Sequence, residues 1–251
     1  MIIDAPKTEQ IPALRALWRE AFGDGEDFLD LFFKTAFSPN RCRVAVEGNE
    51  LSAALYWFDC ELEGRPVAYL YAIATAKEQR GKGICSALMA NTHRHLHALG
   101  YASALLVPST EALFAFYGKM GYSPFGGIGE TRCEAAKRGV ALRRVTAEEY
   151  ACLRRTLLPK GGVIQEGESL RFLQGQVDLY AGDGFLLAAR READTLLGLE
   201  LIGDVSRAPA IVNSLGCARG VFRHGGSKPF AMALPLDTQG VIPSYFGLAF
   251  D

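Results

Sequence analysis

The 251-residue chain lacks a charge surplus of either sign. Its 27 Lys and Arg stand against 28 Asp and Glu, a net charge of −1. Nucleic acids and anionic membranes are normally met by a basic excess, so neither is an expected partner. No apolar run approaches the ~18 residues that a spanning helix needs. The first residues, MIIDAPKTEQ, have no cationic stretch followed by a long apolar one, so a secretory leader is not expected and a cytoplasmic protein is. The six cysteines (Cys42, Cys60, Cys85, Cys133, Cys152, Cys217) form no CxxC pair. They fit reduced thiols better than a disulfide framework or a zinc site. Histidine is scarce, at four residues, and His93 and His97 in HRHLH have no apparent third ligand. They read as a solvated helix face, and no metal is expected. No glycine lies upstream of Gly81-Lys82 at the Walker A spacing, and Ser86 stands where a dinucleotide fingerprint needs its third glycine.

With 49% hydrophobic and 22% charged residues, the chain has the makings of a packed core, and its length suits one large domain or two small ones. Ile2 to Ala5 reads as a strand. Thr8 is placed to cap a helix to Phe22, with Ile11, Leu14, Leu17, Trp18 and Phe22 on one stripe. GDGEDF separates it from a helix over 26–37 that Asp24 is expected to cap, with acids in its first turn. Strands follow over 41–47, 51–62 and 67–75. The last, VAYLYAIAT, is apolar almost throughout, so it reads as buried on both faces. A helix over 84–99, with Ile84, Ala87, Leu88, His95 and Leu99 near one face, is closed by Gly100. Then come a strand over 102–107, a helix capped by Ser109 or Thr110 with Leu113, Phe116, Tyr117 and Met120 on one stripe, strand signals from Tyr122, and a more polar strand over 130–138.

The pattern restarts near Gly139: a strand over 140–145, a helix from Thr146 to Leu158, a shorter helix over 169–174, strands over 177–180, 185–190 and 195–202, a helix over 209–215, and strands over 220–222 and 230–234. This order parallels the first half and reads as a degenerate repeat, with domains at 1–138 and 139–251. GDVSRAPA stands where the first half has QRGKGICS, so the anion site described next is lost from the second half.

EQRGKGICSALM, residues 78–89, puts two glycines and two cations ahead of a helix-forming run. The first N–H groups of a helix lack intrahelical partners, and its dipole adds positive charge there. Glycines let an anion reach the backbone without meeting a Cβ, so strand, glycine turn and helix together suit a phosphate or pyrophosphate. An isolated turn of this kind is equally a bare helix entry.

Its context carries more. IATAKEQRGKGICSALM, the strand SALLV and then STEALFAFYGKMGY resemble the GNAT superfamily of N-acetyltransferases. The family pattern is Arg/Gln-x-x-Gly-x-Gly/Ala; Arg80 and Gly83 match it, and Cys85 stands at the final position. FYGKMGY looks like the family's LYEKLGF segment. The resemblance covers element order over 1–138 and is specific over 70–122. It implies an α+β protein with the GNAT acyl-CoA N-acyltransferase fold, a central mixed and mostly antiparallel sheet, and a smaller α+β second domain. It implies acetyl-CoA as cosubstrate. Backbone groups of Ile73 and Thr75 would meet the pantetheine arm, and amides of Gly81, Lys82, Gly83, Ile84, Cys85 and Ser86 the pyrophosphate, with Arg80 and Lys82 adding charge. Tyr117 stands at the family's general-acid position, and its packing among Leu113 and Phe116 is the competing role. Tyr69 occupies the position where some members carry a base Glu, which leaves a water relay, or Asp59 and Glu61 should they face the cleft. The ending PSYFGLAFD resembles tandem relatives of the Eis type, whose C-terminal carboxylate enters the active site, here Asp251.

The expected activity is direct acetyl transfer to a primary amine in a ternary complex. The acceptor is a small molecule or a peptide, with antibiotics, polyamines, peptide N-termini and lysine side chains all open. A homodimer is also left open. The alternative from a different class is an acyl-CoA sensor without transferase activity, motivated by Tyr69 and by Thr110, where the family commonly has Asn.

Overall fold

The computed structural model describes residues 1–48 and 50–250. Strand β1 (Ile2–Asp4) leads through a 3-10 turn at Thr8–Gln10 into α1 (Ile11–Phe22). Leu14, Leu17 and Trp18 are its buried stripe, and Gly23, in the left-handed region at φ 76°, ends it. α2 (Glu26–Thr35) buries Leu29 and Phe32. β2 (Cys42–Glu47), β3 (Glu50–Leu62) and β4 (Arg65–Thr75) form an antiparallel meander, followed by α3 (Ile84–Ala98), β5 (Ser103–Leu106), α4 (Glu111–Gly118) and β6 (Ser123–Glu134). The second half runs β7 (Leu142–Arg144), α5 (Ala147–Leu157), β8 (Ile164–Gln165), α6 (Glu168–Gln174), β9 (Asp178–Gly182), β10 (Phe185–Glu192), β11 (Thr195–Gly203), α7 (Ala208–Ser214), β12 (Arg219–Gly225) and β13 (Lys228–Pro235). An irregular closing segment occupies 236–250. No helix among the described residues is long and apolar enough to cross a membrane.

All the strands belong to one mixed sheet in the order β1-β2-β3-β4-β5-β13-β6-β12-β11-β10-β9-β7, with β8 set against β3. Among the described strands only β4/β5 and β11/β12 run parallel. The path is symmetric about its middle: β1 to β5 on one side is answered by β7 and β9 to β12 on the other. The two central strands are exchanged between the halves. β13, late in the chain, pairs with β5, while β6, from the first half, pairs with β12. The bulges correspond too. β4 carries one residue more than β3 between the pairs Ala54↔Ala74 and Tyr56↔Tyr71. β11 carries one more than β10 between Ala188↔Glu200 and Ala189↔Gly198.

One apolar cluster lies under α3 and a second under α7, on the same relative face of each half. A third is shared: α1 and α2 of the first half, α5 and α6 of the second, and residues 245–250 meet in it.

Three local expectations are corrected. The buried face of α3 is Ile84, Leu88, Met89, Thr92 and Leu96, while Leu99 is 56% exposed. Gly100, at φ 86°, turns the chain away before Leu99 reaches the core. Residues 123–134 form one strand rather than two, because β13 and β12 hold β6 from its two sides despite its polar end. Asp24 does not cap α2: its N-cap is Gly25, without a side-chain cap, and Asp24 accepts a hydrogen bond from Trp18 Nε1 at 2.8 Å.

Cutting the chain after residue 138 strips β13 from β5 and both neighbours from β6, exposing unpaired strand edges next to an open core. Residues 1–138 alone are expected to aggregate or remain unfolded, and co-expression with 139–251 to restore a soluble complex. Size-exclusion chromatography and circular dichroism read both outcomes, and a folded monomer of 1–138 alone would contradict the exchange.

Candidate active site

The site begins with two strands that part. β4 and β5 pair only at Val67↔Ser103, Ala68↔Ala104 and Tyr69↔Leu105. Past Tyr69, β4 continues while β5 ends at Leu106. The bulge sets Ala72 at φ 48°, a conformation that costs a non-glycine residue on the order of 1 kcal/mol. Such a bulge bends the strand and re-aims its peptide groups. The gap opens into a cavity of about 1020 Å³, lined by Tyr71, Ala72 and Ile73 of β4, by 106–110 after β5, and by Tyr117 of α4. The β5-facing backbone of β4 beyond Tyr69 has no strand partner among the described residues, so it can pair with an extended ligand.

Beyond Thr75 the chain takes a 3-10 turn and enters the glycine segment. Gly81 (φ 77°) and Gly83 (φ 78°) are both left-handed, and Gly83 is the N-cap of α3 with no side-chain cap. The orphan N–H groups of the first turn are left to solvent or to an anion. Arg80 Nε donates to the Thr75 carbonyl at 3.1 Å, and Lys82 Nζ to Gln79 Oε1 at 2.9 Å, so both cations brace the turn they flank. Ile84 is buried and anchors α3, while Ser86 is exposed. Burial pushes the Cys85 thiol pKa up, with a hydrogen bond to Thr75 partly opposing it. A thiol held protonated is a poor nucleophile.

Ile73, Cys85 and Tyr117 meet in the apolar cluster under α3. Ile73 and Tyr117 line the cavity, whereas Thr75 and the turn 80–86 lie outside its wall, at the entry of α3. Asp251 lies outside the described residues. Thr110 caps α4, its hydroxyl accepting from Leu113 N at 3.3 Å, and the helix presents Tyr117 inward. Burial, reinforced by the nearby Cys85, pushes the Tyr117 phenol pKa up, so it stays protonated. Tyr122 packs edge-on to it with ring centroids 5.9 Å apart and meets His93 Nε2 at 2.8 Å. His93 is therefore no solvated helix residue: it ties α3 to the end of α4, and burial pushes its pKa down to about 4.

Much of the remaining lining is aromatic. Trp18, Phe22 and Phe28 come from α1 and α2, Tyr69 and Tyr71 from β4, Phe250 from the closing segment, and Arg190, Arg223 and Phe230 from the second half. Nothing local in the sequence signals that the last four join this wall, because they come from β10, β12, β13 and the closing segment, all distant in sequence from α1 to β4. Neither fallback carboxylate lines the cavity: Asp59 is held by Arg41 at 3.3 Å and by the Tyr101 hydroxyl, and Glu61 faces Arg155 at 3.7 Å. Tyr69, 3% exposed, stacks on Phe58.

Residues 3–125 match the family model of the acetyltransferase (GNAT) domain. The first half of the chain, with the parted strands and the glycine turn, is thus a domain of the GNAT acetyltransferase family. The whole chain shares its fold with larger solved proteins. A GCN5-related N-acetyltransferase from Kribbella flavida superposes with TM-score 0.72 at 18% identity, over 95% of this chain and 72% of that one. One from Anabaena variabilis gives 0.76 at 15% identity, over 94% and 73%. Eis1 from Mycobacterium abscessus gives 0.70 at 13% identity, over 95% and 75%. At these identities the likeness is one of fold. No curated protein matches the sequence significantly.

The His93 shift has a measurable consequence. In the unfolded chain the imidazole takes up a proton near pH 6.5, while in the folded chain it resists until about 4. The unfolded state binds more protons across that window, so stability is full above it and falls as pH drops through it, by about 2–3 kcal/mol. His93→Gln keeps a polar partner for Tyr122 and removes this loss. Urea unfolding of both chains on the two sides of the window tests it, and equal losses in both would contradict the assignment.

Proposed function

We propose that the chain is an N-acetyltransferase that moves the acetyl group of acetyl-CoA to a primary amine by direct transfer in a ternary complex. The observation that carries this reading is the parting of β4 and β5 beside a glycine turn that opens a helix. One element offers unpaired strand backbone for an amide-bearing arm, and the other offers helix N–H groups for a pyrophosphate. Acetyl-CoA supplies the activated thioester. Ile73 and Thr75 hold the pantetheine arm through their backbone. The amides of Gly81 to Ser86 hold the pyrophosphate, with Arg80 and Lys82 adding positive charge.

Tyr117 acts as general acid, giving its phenolic proton to the departing thiolate. Its raised pKa keeps that proton in place until the thiolate forms. With Tyr69 stacked in the aromatic wall, amine deprotonation falls to a water or to the Asp251 carboxylate that the sequence suggested.

We read the chain as two GNAT-like units, 1–138 and 139–251, of which the first holds the cofactor. In the second, no glycine turn leads into the equivalent helix α7; a 3-10 turn over Val205–Arg207 does, and Asp204 caps that turn by accepting from Ser206 N at 3.1 Å. A carboxylate beside this helix entry disfavours an anion there, which supports the loss of that site.

The test is release of free CoA thiol from acetyl-CoA across antibiotics, polyamines, peptide N-termini and lysine side chains, with Tyr117→Phe beside the wild type. Turnover on one class, reduced about 10²-fold in kcat by the variant, is expected. The acetyl-CoA KM should stay within about twofold, because the phenol serves the transition state rather than ground-state binding. Unchanged kcat would remove Tyr117 from the acid role. Tight acetyl-CoA binding without turnover on any amine would favour the sensor.

A further inference from the structure

The second half holds an ion pair that acetyl transfer does not use. Arg154 on α5 and Glu200 on β11 have side chains 2% and 0% exposed. Arg154 Nε meets Glu200 Oε2, and Nη2 meets Oε1, both at 2.8 Å. The remaining guanidinium nitrogen donates to the Val163 carbonyl at 3.0 Å. Taking two charges out of water is costly, and apolar residues of the same volume often serve stability as well or better. Glu200 is the first paired residue past the β11 bulge, where β4 has Ala74. At the point where the first half opens its cleft, the second half carries this pair instead.

The pair is tied to the closing segment. The Tyr245 hydroxyl donates to Glu200 Oε1 at 2.9 Å, beside a longer bond from Tyr150. Gly247 passes directly over the pair, and a Cβ there would overlap the Glu200 carboxylate and the Tyr245 hydroxyl. The Leu248 carbonyl accepts from Gln165 Nε2 at 2.8 Å. Phe250 then packs at 4.8 Å on Phe58 and 5.9 Å on Tyr71, whose hydroxyl donates to the Phe250 carbonyl at 3.0 Å. Phe250 thus reaches the cavity wall beside the bulged strand.

We propose that the Arg154–Glu200 pair is a positioning group for the active cleft: through Tyr245 and Gly247 it lays residues 245–250 along the first half and makes Phe250 a wall of the acceptor end. The reasoning is one of partners. The segment has no regular secondary structure, so its course depends on the groups that meet its side chains and carbonyls. A buried carboxylate with both oxygens pinned by one arginine offers its remaining lone pairs in fixed directions. An aliphatic pair at 154 and 200 would leave the buried Tyr245 hydroxyl without its acceptor. The second half, having no glycine turn of its own, serves the first by holding this segment. The kinetic part of this inference rests on the proposed transferase reading; the seating of 245–250 does not.

Tyr245→Phe and Gly247→Ala test it while leaving both charges in place. The first readout is hydrogen exchange of the peptide covering 244–250, measured without ligand. The second is acetyl-CoA affinity by calorimetry, and the third is kcat/KM for the amine that the wild type acetylates. Both variants are expected to speed exchange of that peptide about tenfold, with the rest of the second half unchanged. Acetyl-CoA affinity should stay within about twofold and acceptor kcat/KM fall about tenfold, since small misplacements at a cleft are costly. Phe250→Ala should reproduce the kinetic loss. Exchange unchanged at 244–250, exchange raised throughout the second half, or faster local exchange with unchanged acceptor kinetics would each overturn the proposal. A wild type that neither binds nor turns over acetyl-CoA would contradict the transferase reading instead, and the exchange measurement would still decide the seating.

Discussion

Everything in this structure that bears on function depends on two parallel strands failing to stay together. β4 and β5 share three residue pairs and then separate. Parallel strands ordinarily continue as a ladder, because unpaired peptide groups next to a core are costly. Here the bulge at Ala72 bends β4, and Leu106 ends β5, so the separation is built into the backbone. α3 and α4 pack against the same apolar cluster from the two sides of the gap. Tyr122 and His93 tie them together at 2.8 Å. The helix that carries the glycine turn and the helix that carries Tyr117 are thereby held in fixed relation.

The gap survives because β5 is supported elsewhere. Its other edge is paired with β13, a strand from the far end of the chain. β6 makes the reciprocal move toward β12. The exchange makes each half incomplete without the other. It also carries second-half residues to the cavity wall, where Arg223 of β12 lies 4.6 Å from the ring of Phe230 of β13. The closing segment adds Phe250, fixed at its other end on the Arg154–Glu200 pair. The second half thus contributes to the cavity of the first through its strands and its closing segment.

Local chemistry was partly readable from residues alone. Thr110 and Thr146 cap their helices, Gly81 and Gly83 take the left-handed conformations that a glycine-rich turn anticipates, and α1 buries Leu14, Leu17 and Trp18 of its expected stripe while Phe22, at its end, is 46% exposed. The misreadings share a cause. Leu99 looks apolar and helical, but one turn decides that it faces water. His93 lies off the apolar stripe, yet Tyr122 covers it from the end of α4. Asp24 had the right neighbours for a cap and found a buried indole instead. Each outcome is set by a particular turn or partner, adjacent for Leu99, six residues away for Asp24 and 29 for His93, and periodicity carries no information about them. The second-half residues of the cavity wall were invisible because their partners are distant in sequence. The proposed cofactor elements are contiguous over 70–122, which is why a resemblance in the sequence alone could point to them.

The central claim is that the parted strands and the glycine turn form one acyl-CoA site. Amide-resolved hydrogen exchange of the wild-type chain, with and without saturating acetyl-CoA, tests it most directly. The account predicts slowed exchange at 72–75 and at 81–86 together, with the α7 entry at 204–208 unaffected. Binding that protects neither segment, or that protects 204–208 instead, would contradict it.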